Sequence, residues 1–216
     1  MSLSTRRMFT ALFTAVVLFV GCKSAYYATW EKLGWAKRDI LVDRVKDARD
    51  DQDAAKKQFK TTLERFQEVT SFQGGDLEAK YKKLKSEYDA CEGRVNDVKK
   101  RIASVESVAN DLFSEWKDEI KQYQSDELRR TSEQKLKDTK QRYNQLITVM
   151  KKAETKMDPV LKRFNDQVLF LKHNLNAQAI ASLQTTAASV ETDVSGLIRD
   201  MEASINEADD FIKQMK

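Results

Sequence analysis

Few side chains in this sequence could do covalent or metal chemistry. The thiols are Cys22 and Cys91, and the one imidazole is His173. A thiol acts as nucleophile or ligand only as the thiolate, which needs a cationic, metal or helix-end setting. Cys91 instead sits in an apolar repeat, where it serves as a small apolar side chain. His173 stands between Lys172 and Asn174. It has no second histidine three or four places away and no cysteine cluster, so no zinc-type ligand spacing exists. Gly74-Gly75 has no strand before it and reads as a helix connection rather than a phosphate loop, and no nucleophile elbow is present. Carboxylates are abundant, but an acid–base pair needs a pocket that drives its two pKa values apart. These features predict a chain without enzymatic activity, cofactor or metal.

Cys22 has a different setting. Residues 16–26 read VVLFVGCKSAY. Arg6 and Arg7 precede an apolar stretch from Met8 to Val20, within the roughly 7–15 residues of a signal-peptide core and short of the ~20 needed to cross a bilayer. Leu18 to Cys22 resembles a bacterial lipobox, with Phe19 where that motif usually carries leucine. The resemblance implies a diacylated Cys22 thiol, cleavage just before it, and acylation of the new amino group. One acyl chain binds membranes marginally, at about 0.8 kcal/mol per buried methylene, whereas two or more anchor stably. Lys23, where aspartate marks inner-membrane retention, favours the outer membrane. Thr5 to Phe9 (TRRMF) also resembles a twin-arginine signal, so the general secretory and twin-arginine routes both stay open. The expected division is a signal peptide over 1–21, a lipid-proximal segment over 22–36 and one helical domain over 37–216.

Segment 22–36 carries Tyr26, Tyr27, Trp30 and Trp35. Such rings suit either the headgroup zone of a membrane or packing onto a bundle. Beyond it, 33% of the whole chain is charged, with six glycines and one proline in 216 residues. So few turn residues predict long helices. The net charge of +4 is spread over 38 basic and 34 acidic residues, a mixed surface rather than a nucleic-acid footprint.

Apolar positions then recur every three or four places. Leu41, Val45, Ala48, Ala55, Phe59, Phe66 and Val69 form one seam, interrupted by Gln52 and Thr62. Gly74 and Gly75 end this helix, and Asp76 caps the next. Leu77 to Trp116 holds an unbroken four–three repeat through Cys91, long enough for coiled-coil packing. The first helix is expected to fold back along it, antiparallel. Thr131 and Gln134 suggest a capping box opening a third helix after a polar loop. Asp158-Pro159 predicts a restart with a kink, and 173–178 (HNLNAQ) a weak break or none. The last helix is expected to bury Ile180, Leu183, Ala187, Val190, Val194, Leu197, Met201, Ile205, Ala208 and Ile212.

Lys135–Arg163 holds nine basic and three acidic residues, while 177–216 holds three basic and seven acidic. The opposite charges suggest that these segments lie side by side. The other reading is a basic stripe for an anionic ligand, a phospholipid headgroup or nucleic acid.

The segments EKLGWAKRDILVDRVKDARDDQDAAKKQF, FQGGDLEAKY and MDPVLKRFNDQVLFLKHNLNAQAIASL, behind such a leader, resemble an uncharacterised bacterial family, the domain of unknown function numbered twenty-nine fifty-nine. The likeness covers the whole mature chain. It implies helical, secreted or lipid-anchored proteins and brings no activity, cofactor or catalytic residue. Within the third segment, Phe164, Phe170, Leu171, His173 and Asn174 form either a recognition face or ordinary packing. The expectation is an all-α, elongated antiparallel coiled-coil bundle of three to four long helices, anchored through Cys22 on the periplasmic side. It would act as a scaffold, spacer or adaptor for a protein partner. Monomeric closure and homo-oligomeric pairing of seams both remain open.

Overall fold

The computed structural model describes residues 37–215. Every element among them is a helix: α1 (Lys37–Thr70), α2 (Leu77–Ile120), α3 (Asp126–His173) and α4 (Ala177–Met215). The chain divides into two units after Leu41. Of the first, only the opening residues of α1 are described. The second, Val42 onward, is the four-helix unit treated below. The stretches expected to be a signal peptide and a lipid-proximal segment lie outside the described residues.

Each helix forms where the apolar repeat runs and stops where the backbone needs a break. Asp76 accepts a hydrogen bond from the Ala79 amide at 2.9 Å, closing the start of α2. Gly74 and Gly75 take φ of +145° and +108°, which side-chain-bearing residues rarely adopt. Asn176 does for α4 what Asp76 does for α2, accepting from the Ala179 amide at 2.9 Å. The break between α3 and α4 is therefore real, where the sequence suggested a weak one or none.

Two other boundaries differ from expectation. Helix α3 opens at Asp126 behind the Ser125 cap, not at a Thr131–Gln134 box. Gln134 instead donates to Asp138 on the same helix, 2.8 Å away. Asp126 and Glu127 in the first turn complement the helix dipole. Helix α3 also runs unbroken through Pro159. Proline removes one backbone donor, but Met157, Val160 and Phe164 on either side stay buried and hold the helix in place. Asp158 does not cap; it takes the Lys99 amine of α2 at 2.6 and 2.8 Å.

Cross-helix contacts fix an up-down-up-down order. Between α1 and α2, Asp51 meets Arg101 at 2.8 Å and Thr62 donates to the Glu87 carbonyl at 3.2 Å. Between α2 and α3, Glu106 meets Lys151 at 2.9 Å, and the Phe113 and Tyr143 rings pack edge to face with centroids 5.4 Å apart. Between α3 and α4, Arg163 meets Asp193 at 2.7 Å. Helix α4 closes on α1 through Asp209–Arg49 at 2.7 Å. With Lys152–Asp200 between α3 and α4 and Ser204–Gln52 between α4 and α1 added, one number rises as the other falls in each pair, so all four pairs are antiparallel.

The seams named from the sequence supply the core. Val45, Ala48, Ala55, Phe59 and Phe66 of α1 are fully buried, as are Cys91, Val98, Ile102 and Val105 of α2. Gln52 and Thr62, which looked like interruptions, are also fully buried. Thr62 satisfies its hydroxyl on the Gln58 carbonyl at 2.9 Å, a helical turn back. Gln52 Oε1 accepts from Ser204 of α4 at 2.7 Å. Ser204 thereby takes the interior place expected for Ile205, which is only half-buried.

Candidate functional site

Cys22 lies outside the described residues. The remaining sequence-chosen positions, at the end of α3, do not share one face. Phe164 and Leu171 are fully buried. The Phe164 ring meets Phe66 of α1 edge to face, with centroids 6.3 Å apart. Both residues are core, which corrects their reading as partner-facing. Their spacing places them in the α3 seam with Val168 and Val160. Phe170 and His173 are exposed. Asn174 closes the helix, its side-chain amide donating to the Phe170 carbonyl at 2.9 Å. The exposed apolar residues there are Leu169, Phe170 and Leu175.

Cys91 is fully buried, and burial pushes its thiol up to about 12 despite the Thr62 hydroxyl. At neutral pH it stays protonated and out of reach, as a core knob should. Among the described residues no three His, Cys, Asp or Glu side chains gather as metal ligands. No described helix is long and apolar enough to cross a membrane.

The basic segment Lys135–Arg163 divides in two. In its second part, Lys152 and Lys156 both pair with Asp200, Arg163 with Asp193, and Lys151 with Glu106. The Asp200 side chain is 13% exposed. Burial raises its carboxyl, but hydrogen bonds from Lys156 and Lys152 outweigh burial and leave its pKa below the usual range. The acidic character of α4 is thus matched against this part of α3, as the charge contrast predicted.

In the first part Lys137 and Lys140 face a trough of about 1260 Å³. Lys137 and Lys140 come from α3, Lys117 from the last turn of α2 and Lys121 from its C-cap. Ile120, Leu136 and Val149 provide apolar lining, and Gln141, Asn144, Gln145 and Thr148 a polar row along α3. Glu133 and Glu207 add two carboxylates. Lys121 pairs with Asp118, in the last turn of α2, at 2.7 Å. Lys117, Lys137 and Lys140 have no ion pair among the described residues. The Lys140 amine lies 5.4 Å from the centre of the Phe113 ring, a cation–π distance.

Sequence reasoning found the α3 lysines but missed Lys117, Lys121 and Glu207. Lys117 and Lys121 are spaced i, i+4 and so share a helix face. That spacing was the one available signal, and it does not say which helix the face meets.

No curated protein matches the chain. The chain belongs to the DUF2959 family, described as proteins of unknown function, which it matches over residues 26–215.

Proposed function

We propose that the protein is a non-enzymatic helical scaffold, spacer or adaptor, held at the periplasmic side of a bacterial envelope by lipid on Cys22. One observation carries this reading: an apolar leader ends in LFVGC immediately ahead of the helical family domain. Lys23 favours delivery to the outer membrane. The described carboxylates support a non-enzymatic role. Many are drawn into ion pairs along helix faces, as Asp200, Asp193 and Glu106 are, and the fully buried thiol of Cys91 is held protonated. A protein partner would meet the exposed end of α3, where Leu169, Phe170 and His173 stand clear of the core.

Intact mass and thiol counting test the anchor. Acylated Cys22 has no free thiol, and Cys91 is buried. The membrane-extracted chain should therefore lack residues 1–21, carry acyl mass, and label once with iodoacetamide in denaturant. Two labels and no added mass would remove the anchor. Crosslinking in whole envelopes, with Phe170→Ser as comparison, tests the partner face; an unchanged crosslink pattern would remove it.

The second reading, a binding module for an anionic ligand, is favoured by the unpaired lysines of the first part of the basic segment. In the second part all the cations but Lys162 are already paired within the protein.

A further inference from the structure

We propose that the trough between the end of α2 and the first half of α3 binds an anionic phospholipid, its phosphodiester among the lysines and the start of its acyl chains on the apolar lining. This rests on the anion-binding reading and not on the Cys22 anchor.

The charge argument comes first. Four amines and two carboxylates line one concavity. Three of those amines, on Lys117, Lys137 and Lys140, have no carboxylate partner among the described residues. Lys151, Lys152 and Lys156, a few turns further along the same helix, are paired with Asp200 and Glu106. A phosphodiester would do for the trough what those carboxylates do there.

The apolar lining narrows the class of anion. Ile120 and Leu136 are core residues whose edges reach the trough, and Val149 is half-buried, so the lining that holds the amines is apolar in part. The methylene stems of the lysines extend that part. Inorganic phosphate would use the amines and gain nothing from it. Single-stranded nucleic acid is read by stacking on open aromatic faces. Here the Phe113 and Tyr143 rings are buried against each other and offer none. The amide and hydroxyl row from Gln141 to Thr148 suits the hydroxyl and ester oxygens of a polar head. Amines, apolar side chains and neutral donors lining one concavity are complementary to an anionic amphiphile.

The full chain, in nanodiscs of zwitterionic phosphatidylcholine, would be titrated with soluble dihexanoyl phosphatidylglycerol. The readouts are calorimetry and the acetylation rate of each lysine by mass spectrometry. Saturable binding is expected, about tenfold tighter than for dihexanoyl phosphatidylcholine and weakening with salt. Acetylation of Lys137 and Lys140 should fall several-fold at saturation, with Lys162 unchanged. Lys137→Gln with Lys140→Gln should lose about tenfold in affinity. Lys135→Gln with Lys162→Gln, on the same helix but outside the trough, should bind as the parent does. Circular dichroism would establish that both double variants keep the parent's helicity.

Equal binding of the two short-chain lipids, or equal losses in the two double variants, would overturn the site. Protection of the same lysines by inorganic phosphate as strong as by the lipid would overturn the role of the apolar lining. Binding of a single-stranded oligonucleotide without preference for the anionic lipid would overturn the ligand class while leaving an anion-binding surface. No binding of any probe at low salt would remove both the inference and the reading beneath it.

Discussion

Helix α3 carries two basic stretches of similar composition and opposite fate. Over residues 151–163, most of the cations reach a carboxylate on a neighbouring helix. Over residues 135–142 none has an ion pair among the described residues. The difference lies in what stands opposite. The acidic residues of α4 from Glu191 to Asp200 run antiparallel to the 151–163 stretch. Further along, Asp209 turns to Arg49 of α1 and Asp210 to Lys213 of its own helix. Composition alone therefore does not say whether a charge run is structural or available. The neighbouring helix decides, by where its own carboxylates point.

The largest test of this contrast is at the end of the sealed stretch. Phe164 is fully buried and meets Phe66. Phe164→Ala should cost about 3–5 kcal/mol, from lost burial plus the cavity left behind. Chemical denaturation with an unchanged m-value measures it. A cost under about 1 kcal/mol would mean that the end of α3 is open enough for Phe164 to face a partner after all.

The core between α1 and α4 carries a polar pair. Ser204→Ala would leave Gln52, fully buried and already without a partner for Nε2, with no hydrogen bond at all. That should cost about 1–3 kcal/mol. Replacing both, as Gln52→Leu with Ser204→Ala, should recover most of the loss, because no stranded polar atom remains. A double variant as unstable as the single one would show that shape, not hydrogen bonding, matters in this layer.

How much of this was legible depends on which neighbour a residue needed. The seams of α1 and α2, the Gly-Gly turn and the Asp76 cap were readable because each rests on local spacing and local backbone chemistry. The Gln52–Ser204 pair was not, since it joins residues 152 apart and Ser204 sits beside the more apolar Ile205. The run of α3 through Pro159 was misread because proline's local cost is visible in sequence and the burial that offsets it is not. Lys135–Arg163 was readable as basic, and its pairing with α4 as expected. Its division into a paired and an unpaired part was not, because that follows from relative register. Cys22 was legible as a motif and lies outside the described residues.

The ion pairs themselves should contribute less. Asp200 is largely covered, but the Lys152 and Lys156 side chains are 63% and 48% exposed, so solvent screens much of the attraction. Asp200→Asn should cost about 1 kcal/mol at neutral pH. The folded-state pKa of Asp200 is lowered. Its contribution is therefore fully present above the unfolded value of about 3.9 and is lost as pH falls through the folded one. Parent and variant stabilities should converge in that acid window, and urea titrations from pH 7 downward would show it. A gap that persists at the lowest pH would assign the loss to packing instead.

The smallest effect belongs to the open stretch, and its smallness is the point. Lys137 is exposed and unpaired, so Lys137→Gln should leave stability within about 0.5 kcal/mol of the parent. Lys140 faces the Phe113 ring at 5.4 Å, so Lys140→Gln should cost no more than about 0.5–1 kcal/mol. Helices are held by what their side chains touch, and these two amines touch little. If melting shows that either lysine matters as much as Asp200, the trough is a structural seam and its charges are already in use. If neither does, the two stretches of α3 differ in role as well as in pairing, and the amines around the trough are free to be neutralised by something outside the chain.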